Sequence, residues 1–416
     1  MTTDLTLTRQ TAIKVFLAFA LAYFLSALIR AITATLSPTL TQEFALTAGD
    51  LGLLAGGYFL GFAATQLPLG AWLDRHGPKK VILWFLAVAV LGCVAFSLAT
   101  SFVGLLAARI LCGIGVSACL MAPLTGYRRW FDPSTLLRTN SWMLMTGSMG
   151  MVASTLPVQW LMPVIGWRPM FWGLAALVLL SMLLISAQVP AWGAVTLTAA
   201  KPAPDAPNPS YAEVWRNPYF RQLLPLAFFS YGGLVAMQTL WAAPWMTKVA
   251  GYSALEAAAG LFWINVAMLL TFWTWGLINP WLARRGWHTD RLVTVVLPFS
   301  FVVLAVIIIA AQPTLAWSGL LWALYCVCCT VVSLTQPAVG MAFAPAMAGR
   351  ALSAYNLVIF SGVFAVQWGV GLGIDALRSL GLPELLAFQL TMGLFLLSCI
   401  ASYLYFLIPR RHNSSR

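Results

Sequence analysis

Near the middle of the apolar stretch 12–41 stands a guanidinium, Arg30. In a helix starting near Ala12 it lies about 18 residues in, roughly 27 Å along the axis. A charge at such depth in a bilayer costs at least about 2.5–3.5 kcal/mol. It is retained only against a partner or a wet cavity. The eleven acids are residues 4, 43, 50, 74, 132, 205, 213, 256, 290, 375 and 384, and none falls deep in an apolar stretch. Either Arg30 is bonded to main-chain carbonyls, or its counter-charge is a mobile anion. The planar guanidinium fork suits a carboxylate or a phosphate.

Other polar groups fall at spacings that could complete such a site. Tyr23 is seven residues before Arg30, on the same helical face. Tyr231, Gln238 and Trp245 form a second stripe, and Asn356, Phe360, Val363 and Gln367 a third. Tyr58, Asn265 and Gln336 are isolated in apolar surroundings. Each could instead bond a neighbouring helix, worth about 1 kcal/mol. Arg109 lies about seven residues from the end of its stretch, within snorkelling range of the interface. His76, His288 and His412 fall in loops or the tail, which argues against a histidine-ligated metal site in the bilayer. The seven cysteines lie in apolar stretches and form no disulfide framework. Met143, Met145, Met149 and Met151, and Cys326, Cys328 and Cys329, read as packing, not as a copper site. No cofactor, metal or catalytic constellation is expected, so an enzyme is not.

The elements that must position these groups follow from composition. Hydrophobic residues make up 61% of the 416-residue chain, charged residues only 8%, and the mean hydropathy is +0.87. Soluble domains carry about 25% charged residues. A soluble enzyme and a nucleic-acid-binding protein are excluded, despite the net charge of +12. Twelve stretches reach the roughly 20 apolar residues that a membrane helix needs. They run near 12–41, 48–73, 79–99, 102–126, 138–163, 168–190, 221–247, 254–281, 291–311, 314–343, 350–376 and 384–408. The fold class is therefore all-α and membrane-spanning. The start of the chain carries polar residues and an acid ahead of a long apolar stretch, unlike a secretory signal. With that end in the cytoplasm, eighteen Lys and Arg fall inside, three outside (Arg168, Lys248 and Arg378) and two within spans, Arg30 and Arg109. The bias places both termini in the cytoplasm and sets the positive excess against an anionic inner leaflet.

Residues 191–220 break the apolar pattern with a proline-rich polar run, KPAPDAPNP, which acts as a spacer. They divide the chain into 1–190 and 221–416, with six spans each; Tyr211–Arg216 is expected as a short surface helix. A faint repeat relates the halves. Leu21–Phe24 (LAYF) matches Leu226–Phe229 (LAFF), and Trp72–Gly77 (WLDRHG) matches Trp281–Gly286 (WLARRG). Two related six-helix bundles imply a cavity between them that opens to alternate sides by rocking.

The segment Gly70-Ala-Trp-Leu-Asp74-Arg75-His-Gly77-Pro-Lys79-Lys80 resembles the signature loop of the major facilitator superfamily. Tyr58…Gln66-Leu-Pro68, Arg109-Ile-Leu-Cys-Gly113 and Gly166-Trp-Arg168-Pro-Met-Phe171 are similar to further family motifs. The resemblance covers the whole chain. It implies two pseudo-symmetric six-helix bundles, a gate built on Gly70, Asp74, Arg75, Gly77 and Lys79, and a part in proton coupling for Arg109 with Gly113. Physically, Gly70 would admit a neighbouring helix closely, and Asp74 would face the start of the eleventh span. In the second copy Ala283 replaces the acid and Asn279 the glycine.

The first span, with Arg30 eight residues before Pro38, also resembles the organic-phosphate and organic-anion branches, where that Arg binds the substrate. The phosphate branch adds an Arg in helix seven, which Tyr231–Gln238 lacks. The expected cargo is therefore a monoanion such as a monocarboxylate, carried with protons or against a counter-anion. The expected protein is a monomer in a bacterial inner membrane, its partners the anion and the lipid bilayer, with no nucleic acid. An efflux antiporter for drugs predicts a buried acid, which is missing. A membrane sensor or enzyme predicts an added domain or catalytic set, and neither is visible.

Overall fold

The computed structural model describes residues 7–192, 211–311 and 317–408. The proline-rich run, Lys201, the end of the tail and the start of the tenth stretch lie outside the described residues. We label the spanning helices α1 (Arg9–Phe44), α2 (48–76), α3 (78–98), α4 (Phe102–Trp130), α5 (133–165), α6 (Trp167–Gln188), α7 (Pro218–Val249), α8 (Ala254–Arg284), α9 (Thr289–Ile309), α10 (Ser318–Met341), α11 (Pro345–Ser379) and α12 (Glu384–Leu407). Ten unbroken helices are long and apolar enough to cross a bilayer, and α5, bent by 44° at 154–155, is an eleventh. One of the ten, Gln66–Leu98, is interrupted at Gly77 (φ 77°, ψ 162°), so its first part completes α2 and its remainder is α3. Among the described residues, twelve helices long enough to cross a bilayer result. Tyr211–Arg216 forms the short helix anticipated from sequence.

Local chemistry sets the ends. Thr47 and Asp50 form a capping box at the start of α2, as Ser253 and Glu256 do for α8. Gly77 and Gly286 close the matching loops after α2 and α8 with φ of 77° and 76°, a left-handed conformation that side chains rarely adopt. The internal repeat is thus present in backbone geometry as well as in sequence. Large apolar side chains face outward, among them Leu183 (67% exposed), Leu397 (63%) and Trp263 (63%). A belt of that kind needs hydrocarbon to cover it.

Connections alternate between two faces of the bundle. The Ala45 face carries the α1–α2, α7–α8 and α11–α12 turns; the Gly77 face carries the α2–α3 and α8–α9 turns. The halves meet mainly toward the Ala45 face. There α2 packs along α11, α1 along Met237–Pro244 of α7, and α5 along α8. Glycines permit the first contact: a methyl on Gly52 would stand 2.3 Å from the Gln367 carbonyl oxygen, and one on Gly371 2.3 Å from that of Ala48. Among the described residues α4 and α10 form no comparable pairing.

Candidate functional site

Arg30 projects from α1 into a ring of aromatic side chains. The hydroxyls of Tyr23 and Tyr58 interact with its guanidinium, and Tyr231 of α7 stands further off. Tyr58 donates its own proton toward the Ser26 carbonyl oxygen (3.4 Å), which leaves the hydroxyl oxygen turned to the Arg30 charge. The Phe62 ring centroid lies 5.7 Å from Arg30 Cζ, and Phe62 packs in turn on Phe360 of α11 at 4.4 Å between centroids. Arg30 is half-buried, and its Nε has no hydrogen-bond acceptor. Among the described residues no carboxylate acts on it.

Close packing holds this ring in register. A methyl on Gly147 of α5 would stand 2.4 Å from the Tyr23 ring, and one on Gly113 of α4 only 1.9 Å from the Tyr58 carbonyl oxygen. Gly113 therefore lets α4 lie directly against the backbone that carries Tyr58.

For Arg109 the sequence left snorkelling and an inward structural role open. The side chain is fully buried and does not snorkel. Its Nη1 donates to the Ile29 carbonyl oxygen (2.8 Å), its Nη2 to that of Arg30 (3.5 Å), and its Cζ lies 4.9 Å from the Tyr58 ring centroid. The α1 carbonyls and the ring hold it inward, where the interface cannot compete. Main-chain sealing, the alternative raised for Arg30, is found at Arg109.

The remaining polar residues form separate pairs. Gln238 donates to Asn265 Oδ1 (2.8 Å), and Asn265 to the Leu261 carbonyl oxygen (2.8 Å). Gln336 donates to Asn356 Oδ1 (2.6 Å). Gln367 donates to Thr239 Oγ1 (3.0 Å), and its carbonyl oxygen accepts from Trp241 Nε1 (3.1 Å). The stripe Tyr231, Gln238, Trp245 is broken. Runs of π-helix at Leu226–Tyr231, Met237–Trp241 and Trp245–Val249 shift the phase of α7. Tyr231 is thus on the Arg30 side without touching it, Gln238 reaches α8, and Trp245 is buried against Trp322 and Phe388.

At the Gly77 face, a methyl on Gly70 would meet nothing within 4 Å, so the expected close helix approach does not occur there. The α11 contact falls instead on Gly49, Gly52 and Gly56. Asp74 and Arg75 are exposed and Lys79 is half-buried. Arg350, in the second turn of α11, is the charge that acts on Asp74. Gly77 lies under the Trp192 indole, which a methyl would strike. Trp192 also stacks with Arg129 (4.4 Å from Cζ to centroid).

The Ala45 face holds contacts that sequence reasoning missed. Asp375, near the end of α11, accepts from the backbone N–H groups of Ala48 (3.1 Å) and Gly49 (2.7 Å) at the start of α2. This clamp joins the two halves through a helix N-terminus. Glu43 accepts from Trp167 Nε1 (2.7 Å) and pairs with Arg168 (2.5 Å), tying α1 to α6. The Gly49, Gly52, Gly56 spacing is the sequence signal by which this helix contact could have been found. The pairing of Asp375 with a helix from the other half had no local signal.

The model for the Major Facilitator Superfamily matches residues 19–367. A "Probable L-galactonate transporter" of Escherichia coli (strain K12) is 28% identical over 138 residues, covering 32% of this chain and 29% of that protein. A "Probable sulfoacetate transporter" of Cupriavidus necator is 29% identical over 111 residues, 26% of each chain. An "Ascorbate transporter, chloroplastic" of Arabidopsis thaliana is 25% identical over 142 residues, 33% of this chain and 26% of that one. The matched region thus spans under a third of the length of these relatives. Among solved structures, a bacterial homologue of the human lysosomal transporter Spinster superposes with a TM-score of 0.75 at 17% identity, covering 96% of this chain and 97% of that one. A D-xylose–proton symporter superposes with a TM-score of 0.75 at 15% identity, covering 95% and 97%; both likenesses are of fold. With its twelve-helix architecture, its paired loops and a family model matched over most of its length, this chain belongs to the Major Facilitator Superfamily.

Proposed function

We propose that this transporter moves a small organic anion, a monocarboxylate above all, by alternating access between the halves 1–190 and 221–416, joined by 191–220. The observation that carries this reading is Arg30: a half-buried guanidinium among Tyr23, Tyr58 and Tyr231, with an unpartnered Nε and no acid acting on it. A carboxylate there takes paired hydrogen bonds from the fork and a further one from the Tyr23 hydroxyl. Tyr231 belongs to the second half, so the cargo touches both halves and its binding is felt by the equilibrium between their arrangements. Similarity to proteins named for galactonate, sulfoacetate and ascorbate, all anions, supports the same class.

In this reading the Gly77 face is cytoplasmic, the membrane a bacterial inner membrane and the working unit a monomer. The Asp375 clamp and the glycine contact of α2 with α11 close the outer side in the arrangement described. Asp74 and Arg350, with Gly77 and its neighbours Arg75 and Lys79, would close the inner side in the opposite one. Arg109 positions Arg30 by holding the α1 backbone at 29–30 and the Tyr58 ring. The amide pairs Gln238–Asn265 and Gln336–Asn356 and the Gln367 contacts keep the second half in shape beside the site. Asp50 and Glu256 are engaged in caps, which disfavours them as carriers of a coupled proton.

Counterflow uptake in proteoliposomes tests the reading. Radiolabelled sugar acids and short monocarboxylates should exchange, and quaternary ammonium cations should not. Exchange of the cations alone would overturn the anion assignment.

A further inference from the structure

The lipid-facing surface between α7 and α12 carries a cleft of about 320 Å³ lined by Pro225, Phe229, Ser398, Ala401, Ser402 and Tyr405. On α12 the lining spans the eight residues 398–405, roughly 10 Å along the axis. Its serine hydroxyls are satisfied on their own helix: Ser398 Oγ donates to the Leu394 carbonyl oxygen (3.0 Å) and Ser402 Oγ to that of Cys399 (2.7 Å). The open wall is therefore largely hydrocarbon, and Ala401 and Tyr405 are exposed along it.

One end of the cleft is charged. Gln222 Nε2 donates to the carbonyl oxygens of Phe406 (2.5 Å) and Ile408 (3.0 Å), which sets the start of α7 level with the end of α12. Arg221 is next to Gln222 and four residues before Pro225, so it lies above the Pro225–Phe229 wall on the same side of the helix. It is exposed, and none of the acids of the described residues pairs with it. An apolar slot 10 Å long with a cation at its Gly77-face mouth has the polarity of a phospholipid: chain within, phosphate at the interface.

The geometry points to a bound anionic phospholipid, with one acyl chain in the α7–α12 cleft and its phosphate on Arg221. This inference needs the chain to span a bilayer and is independent of the cargo at Arg30. Two substitutions separate its parts. Arg221→Gln removes the charge, and Ala401→Trp fills the cleft. The full chain is reconstituted in vesicles of phosphatidylcholine with one-fifth phosphatidylglycerol, a trace of it bearing a photoreactive acyl chain, and cross-linked peptides are identified by mass spectrometry.

Adducts should map to 221–229 and 398–405 in the wild type and fall at least five-fold in either variant. Arg221→Lys should keep most of the labelling, and glycerol phosphate or inorganic phosphate at millimolar concentration should leave it unchanged. Circular dichroism and a monodisperse size-exclusion profile report that each variant is folded. Labelling of these segments that persists in both variants, or that is equal with a photoreactive phosphatidylcholine, would overturn the proposal. Displacement by free phosphate would assign Arg221 to a soluble anion instead.

Discussion

Replacing Asp375 should open the Ala45 face. Its carboxylate accepts two backbone N–H groups from the start of α2, at 3.1 and 2.7 Å. Hydrogen bonds to a charged group contribute about 1.5–3 kcal/mol each when well shielded, and the helix N-terminus adds about 0.3–1 kcal/mol. Asp375 is only half-buried. Water competes for both partners once the halves part, and a net value of about 2 kcal/mol is reasonable for Asp375→Ala. At 1.4 kcal/mol per decade that is roughly a 30-fold shift. A closed population of about 95% would fall to about 40%. Asp375→Asn keeps the size and one good acceptor and should shift the balance by about five-fold, or roughly 1 kcal/mol. Spin labels at Thr100, in the exposed α3–α4 turn, and at Leu380, in the α11–α12 turn, report the separation across this face. The native cysteines are replaced beforehand. Pulsed electron–electron resonance should show a longer distance gaining weight in the order wild type, Asn, Ala. Identical distance distributions in all three proteins would refute the clamp.

Other consequences are more local. Gly52→Ala places a methyl 2.3 Å from the Gln367 carbonyl oxygen and should open the same face without removing any charge, as read by the same spin labels. Gly113→Ala drives a methyl into the Tyr58 carbonyl oxygen, at 1.9 Å. Overpacking of this kind costs about 1–3 kcal/mol, so the thermal midpoint should fall and anion affinity with it; Gly104→Ala, with no contact under 3.4 Å, is the control. Arg109→Lys keeps a charge but cannot span two carbonyls and a ring. It should weaken anion binding about ten-fold, the equivalent of one lost charge-assisted bond, in equilibrium binding assays.

Much of the architecture was legible because bilayer thickness imposes a length on every span. The paired loops were legible because a left-handed turn asks for glycine at Gly77 and Gly286 alike. Tyr23 and Arg30 could be joined since both lie on one regular helix, α1. Tyr231 and Trp245 were wrongly joined for the converse reason: π-turns in α7 alter the angle between residues seven apart. Which face of a helix meets which partner is set by contacts distant in sequence. Gly70 was thus expected at a helix contact that Gly49, Gly52 and Gly56 make instead, and Arg109, counted inside a span within snorkelling range, is held inward by the α1 carbonyls. Asp375 stood in the list of acids, but nothing near it in the chain announces that it caps a helix of the other half.

The account rests on Arg30 holding the cargo's negative charge. Equilibrium binding of a carboxylate that passes the counterflow screen should be compared for the wild type, Arg30→Lys and Arg30→Gln in detergent, with circular dichroism confirming the helical fold. Loss of a desolvated charge pair leaves the anion without its partner and costs about 3–5 kcal/mol. Binding should therefore fall at least a hundred-fold in Arg30→Gln and less in Arg30→Lys. Unchanged affinity in a folded Arg30→Gln protein would contradict the account.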